Sequence, residues 1–143
     1  MPKGAVLAFD FGLKRIGVAV GELELGMAHA LATLNGGDAP RTTAAIDKLI
    51  AEWRPNLLIV GQPRHDDGRP HALTGAIKKF VAQLRNHTKL EVILADESYS
   101  SAAAAIALRD AGISGQKQKA MLDSVAAQEI LQGYFDNHVS TAR

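Results

Sequence analysis

Cysteine is absent from the 143 residues. That excludes disulfides, thiolate metal sites and thiol nucleophiles, and it suits a reducing compartment. Aromatic residues make up only 5%, too few for a ladder of stacking rings, so sequence-specific reading of single strands is not supported. Charge of one sign is also lacking: 16 Lys and Arg stand against 15 Asp and Glu, for a net charge of +1. Any contact with a polyanion must therefore come from a local patch. The apolar runs fall well short of the ~20 residues that a membrane span needs. "MPKGAVLAFD" meets an aspartate after a few apolar residues, so a first strand is expected there and not a secretion signal. No membrane association and a cytoplasmic location are the expectations.

What is present is ordinary globular composition, with 47% hydrophobic and 22% charged residues. A chain of this length buries roughly 70% of its unfolded surface and needs no staples. A single domain over residues 1–138 is expected, with 139–143 a frayed tail. "AVLAFDFG" (5–12) reads as a buried strand, "GLKR" as a turn, and "IGVAVGEL" (16–23) as a second, antiparallel strand. "MAHALATL" (27–34) is a third strand, closed by "NGGDAP". From Arg41 the period changes: Ile46, Leu49, Ile50 and Trp53 share one helical face, and Pro55 ends the helix. "NLLIVGQP" (56–63) has the wholly apolar character of a central parallel strand. A polar loop, "RHDDGRPH", leads to a helix with Leu73, Ile77, Phe80, Val81 and Leu84 on one face. "LEVILADE" (90–97) is a fifth strand; an alanine-rich helix closed by Gly112 and a last helix over 121–135 follow. A meander followed by two right-handed crossovers gives an α/β fold: a five-stranded mixed sheet in the order 3-2-1-4-5 with helices on both faces. That is the ribonuclease H-like architecture.

Asp10 interrupts an apolar run, and burying a carboxylate is costly unless something compensates it. In this topology strands 1, 4 and 5 are parallel, so Asp10 and Glu97 close their strands at one edge of the sheet, where open α/β sheets bind ligands. Asp123 shares a helical face with Ala126, Ala127, Ile130 and Tyr134, the small apolar face able to approach the sheet. At ~4 Å and an effective dielectric of ~20, each pair of like charges costs about 4 kcal/mol. Three such pairs rival a domain's net stability of roughly 5–15 kcal/mol. Protonation would relieve that repulsion, and so would Mg2+ or Mn2+, which prefer oxygen ligands; two such ions activate water and stabilise the leaving oxygen in phosphodiester cleavage. Taken singly, each acid has a plainer reading: Asp10 as a turn cap, Glu97 as a strand-end acid, Asp123 as a first-turn acid favoured by the helix dipole. Their shared edge favours the metal.

The segments "AFDFGLKRIGVAV", "VGQPRHDDG", "ADESYSS" and "KAMLDSVAAQEILQGYF" resemble the four motif blocks of the YqgF family. That family is described as Holliday junction resolvases and as nucleases of pre-16S ribosomal RNA. The likeness runs in order from residue 5 to about 135, and its first block is the most specific. It implies a ribonuclease H-like fold, catalytic and metal-ligating roles for Asp10, Glu97 and Asp123, and hydrolysis by a metal-activated water without a covalent intermediate. It also departs from the family: Ser98 stands where an arginine usually follows Asp-Glu. A serine neither pairs with a carboxylate nor holds a phosphate bidentately. Lys119, one turn before Asp123, or Arg15 is the candidate replacement for that charge; weak or absent activity is the competing outcome.

Lys14 and Arg15, and beyond the fourth strand Arg64, His65 and Arg69, are candidate contacts to nucleic acid, although isolated surface charges are more often only solvated. Gly12 and Gly17 flank the first turn, and hairpin geometry alone accounts for them at least as well as phosphate approach does. None of the five histidines has the close helical spacing of a zinc site, and no separate cofactor-binding residue is assigned. The leading expectation is a metal-dependent nuclease acting on precursor ribosomal RNA, with Holliday junction resolution as the alternative. A catalytically weak interaction protein is a third reading. A single-copy relative of the actin-like nucleotide clamp is a fourth, although that clamp needs two copies of the fold.

Overall fold

The computed structural model describes residues 4–12, 14–36, 39–63, 74–97 and 124–136. Strands β1 (Ala5–Asp10), β2 (Arg15–Glu22) and β3 (Met27–Asn35) form the meander. Helix α1 (Ala39–Trp53) leads to β4 (Pro55–Pro63), and α2 (Thr74–Thr88) leads to β5 (Glu91–Glu97). Residues 124–136 are helical and are called α3. The five strands lie in the order β3-β2-β1-β4-β5. β1 and β2 are antiparallel, as are β2 and β3, while β4 and β5 run parallel to β1. This is the sheet that the order of elements implies. β1 ends at Asp10, two residues earlier than its apolar run, because Phe11 and Gly12 already leave the ladder. The expected alanine-rich helix, Leu73 and the tail 139–143 lie outside the described residues.

Alternation along β1 divides the core in two. Leu7 and Phe9 face α1 and α2, in a cluster with Val18, Leu58, Val60, Ile46, Leu49, Ile77, Phe80 and Leu84. Val6 and Ala8 face α3, packing with Ala19, Ile59, Ala127, Ile130, Leu131 and Phe135. Both faces of β1 are thus covered, which is why its sequence reads apolar throughout. On β3 the register shifts opposite Val18 and Ala19, leaving Leu31 as an extra residue. That bulge lets Leu31 and Leu34, three apart, pack on the same core. Trp53 alone leaves the apolar face assigned to α1. It is the last residue of the helix and is 38% exposed, because Arg54, at φ 49°, turns the chain at once into β4. The same device, Lys89 at φ 60°, joins α2 to β5.

Both sheet edges carry a side-chain cap, which blocks pairing with another strand. On β3, the Gln132 amide takes the Ala28 N–H at 2.9 Å and donates to the Gly26 carbonyl at 2.8 Å. Gln128 donates to the Ala28 carbonyl at 3.0 Å. On β5, Arg85 donates to the Val92 carbonyl at 2.7 Å. The helices are tied down as well: the Thr42 hydroxyl at the start of α1 donates to the Asn35 carbonyl, and His87 Nε2 on α2 lies 2.5 Å from Asp47 Oδ1 on α1. Among the described residues no helix is long and apolar enough to cross a membrane.

Replacing Gln132 by leucine removes partners from one N–H and one carbonyl of the edge strand. The expected loss is about 1–3 kcal/mol, since a polar group left unpaired costs on that order. Urea unfolding reads it, and a midpoint equal to the wild type would contradict the capping role.

Candidate active site at the carboxyl edge of the sheet

Parallel β1, β4 and β5 end together, and β2 begins where β1 ends. One edge therefore collects Asp10, the turn after it, the ends of β4 and β5, and the start of β2. Asp10 closes β1 in register with Gly17 on β2 and Gly61 on β4. Gly61 in turn aligns with Ala95 on β5. The carboxylate is half-buried and follows Val6 and Ala8 on the α3 side of the sheet. Its two lateral neighbours have no side chains. Glu97, described by its backbone alone, pairs with Pro63, two residues beyond the row of Asp10.

Three contacts set the direction of α3. The Phe135 ring lies where a Cβ on Gly21 would meet it at 2.6 Å, and Gly21 is paired with Val6 near the start of β1. The Tyr134 phenol is pushed above its ordinary value, first by burial and then by the charge of Glu91, the first residue of β5. Gln132 binds the turn at Gly26. The carboxyl end of α3 thus overlies the amino ends of β1 and β5, and its amino end points to the edge that holds Asp10. From 135 back to 124 a helix rises about 16 Å, against about 13 Å for the strand from Val6 to Asp10. Ser124, itself buried, comes level with the end of β1. Along α3, Ala126, Ala127 and Ile130 are buried and Tyr134 is packed against the core.

The turn after Asp10 is tight. A Cβ on Gly12 would lie 2.6 Å from the Arg15 carbonyl oxygen, so glycine here answers a steric need of the hairpin. The Lys14 carbonyl accepts from the Gly36 N–H at 2.9 Å, joining this turn to the end of β3. Lys14 and Arg15 are exposed at the same edge. Of the residues singled out from sequence, Asp10, Lys14, Arg15 and the backbone of Glu97 are thus brought to one edge. Asp123, Arg64, His65, Arg69, Lys119 and Ser98 lie outside the described residues. Among the described residues no group of three His, Asp or Glu side chains could hold a metal. The chemistry that is present, a carboxylate between two glycines and no cysteine anywhere in the chain, fits a hard oxygen-preferring divalent cation. Sequence reasoning passed over Gly61, visible only as punctuation in "VGQP". It also passed over Gln128 and Gln132, whose signal was a pair of amides one helical turn apart beside an apolar face.

The chain matches the model of a family described as RuvX, Holliday junction resolvase, over residues 4–137. A protein of Methylobacillus flagellatus named "Putative pre-16S rRNA nuclease" is 51% identical over 138 residues, covering 96% of this chain and 94% of that one. A protein of the same name from Nitrosospira multiformis is 47% identical, covering 96% and 91%. Among solved structures, RuvC of Thermus thermophilus superposes with a TM-score of 0.58 at 14% identity, covering 96% of this chain and 97% of that chain. The Fowlpox virus resolvase in complex with Holliday junction DNA gives 0.56 at 10% identity, covering 93% and 97%. At such identities the structures speak for the fold, that of ribonuclease H-like resolvases.

Gly12→Ala drives a methyl group against a backbone carbonyl that has no flexible end to move. The expected cost is about 1–3 kcal/mol, as for overpacking elsewhere. It reads as a lower urea midpoint; unchanged stability would mean that the turn is looser than described.

Proposed function

The chain belongs to the RuvX family of Holliday junction resolvases, and on that footing we propose that it is a nuclease that hydrolyses phosphodiester bonds of structured nucleic acid at the carboxyl edge of its sheet. Its substrate is the precursor end of 16S ribosomal RNA, the substrate for which its relatives of 45–51% identity are named. The observation that carries the reading is Asp10: a carboxylate closing the central strand, flanked by Gly17 and Gly61, at the edge toward which the amino end of α3 points.

Asp10, Glu97 and Asp123 are the proposed metal ligands and catalytic acids. Backbone register supports the set. Glu97 stands two strands over and two residues beyond the Asp10 row, a separation of about 12 Å between Cα atoms that side chains reaching toward one another could close around a shared ion pair. Asp123 directly precedes Ser124 in the chain. Mg2+ or Mn2+ held there would supply an activated water and stabilise the leaving oxygen. The protein's own part is positioning. Asp10 is fixed by a strand paired on both sides, so it need not reorganise as the reaction proceeds. Lys14 and Arg15 present cations to the phosphate backbone beside the acids, and Arg64, His65, Arg69 and Lys119 are further proposed contacts. Arg15 is the proposed substitute for the arginine that Ser98 replaces. The activity resides in one domain over residues 1–138, working in the cytoplasm. Cleavage of four-way DNA junctions is the second reading, favoured by the family's own description.

With Mn2+, wild type is expected to cleave precursor 16S ribosomal RNA faster than a four-way junction, and Asp10→Asn to lose at least about 100-fold in rate, some 2.7 kcal/mol of barrier. Arg15→Gln is expected to slow cleavage about 10-fold, and Ser98→Arg to restore it in that background. Equal cleavage by wild type and Asp10→Asn would remove the catalytic assignment. Faster cleavage of the junction would exchange the two substrates.

A further inference from the structure

On the opposite face of the sheet from Asp10, a groove of about 570 Å3 opens between α1 and α2. That size is within the range of small-ligand sites, roughly 300–1,000 Å3. Phe11, the residue next to Asp10, lines it, so the groove begins at the same edge of the sheet. Its floor is aromatic: the rings of Phe11 and Phe80 lie 4.9 Å apart, tilted by 37°, with Phe9 edge-on to Phe80 beneath them. Its rim is polar, with Thr43, Lys79, Gln83 and Asn86 among the lining residues. Helix α2 carries Lys78, Lys79, Arg85 and His87 and no acid. The Asp47 carboxylate on the α1 side is already engaged by His87.

We propose that this groove is a subsite for one unpaired nucleotide of the nucleic-acid strand. Its base lies on the partly exposed Phe11 ring, which the buried Phe80 backs from the core, its polar edge meets the Gln83 and Asn86 amides, and its phosphate lies against Lys79. The proposal rests on the reading of the chain as a nucleic-acid enzyme and deepens it. An aromatic floor accepts any base, and amides can donate and accept without committing to one. Of the α2 cations Lys79 and His87 line the groove, and with His87 engaged by Asp47 it is Lys79 that meets a phosphate. Residues 10 and 11 are consecutive and alternate in facing, so a strand with its phosphate at Asp10 passes around the end of β1 to reach the groove. Substrates with an unpaired nucleotide beside the cut are then preferred over continuous duplex. The scarcity of aromatics hides this site in the sequence, because its two rings come from residues 69 positions apart, 80 less 11.

The test is binding of a short labelled single strand, and of the same strand in a blunt duplex, by fluorescence anisotropy in EDTA. Single strand is expected to bind more tightly than duplex. Phe11→Ala is expected to weaken it about 5- to 100-fold, the effect of losing one stacked base. Lys79→Ala, at an exposed position where folding is not at stake, is expected to lower the salt slope by about one. Wild-type affinity in both Phe11→Ala and Lys79→Ala, or equal affinity for duplex, overturns the subsite. Tight binding of free adenosine monophosphate that Phe11→Ala abolishes, without a loss of strand binding, would assign the groove to mononucleotides and overturn it too. Because divalent ions are absent, the outcome is read without cleavage, so failure of the subsite and failure of the nuclease reading are told apart.

Discussion

A carboxylate at the end of a fully covered strand has few ways to be tolerated, and the arrangement around Asp10 answers that constraint. Along β1 each residue from Val6 to Phe9 serves one of two cores. The row across the sheet at Asp10 then changes character, with glycine on either side and alanine one strand further. Larger neighbours would bury the acid further and raise the cost of its charge. Glycines add no side chain to that row. The strand order matters for the same reason, because only parallel β1, β4 and β5 deliver their last residues to a single edge.

Helix α3 makes that edge three-dimensional, and glutamines hold it at a fixed height. Gln132 binds Ala28 N–H and Gly26 C=O, and Gln128 binds Ala28 C=O, so the helix cannot slide by a turn without breaking the set. The Phe135 ring lies against Gly21, the partner of Ala28 on the next strand, where no side chain fits. A position that the edge strand and the core both determine is what a preorganised site requires. The amides have a second effect, blunting a strand edge that would otherwise be open to pairing.

Most of the fold was legible because period and order carry it. The apolar alternation and the sequence of elements imply the 3-2-1-4-5 sheet, and Ile77, Phe80, Val81 and Leu84 are buried as their helical spacing requires. The exceptions are places where packing overrides pattern. Trp53 falls on the apolar stripe of α1 yet is partly exposed, because Arg54 reverses the chain before another element can cover it. Leu31 breaks alternation through a bulge that no local signal announces. Within the site, Asp10 stood out as a charge in an apolar run. Gly61 did not, because a glycine in "VGQP" reads equally as punctuation; its meaning lies in the register with β1. The Phe11–Phe80 platform is likewise a product of tertiary structure.

On the proposals made above, two faces of one strand end do different work, the acid on the α3 side and the aromatic groove on the side of α1 and α2. Everything catalytic turns on whether the row at Asp10 receives a divalent cation. Anomalous diffraction from crystals soaked in Mn2+ tests this most directly. The account predicts manganese peaks at about 2.1–2.2 Å from the Asp10 carboxylate, shared with Glu97 and Asp123. Saturating Mn2+ with no peak there, or a peak held by other residues while Asp10 is solvated, would contradict it.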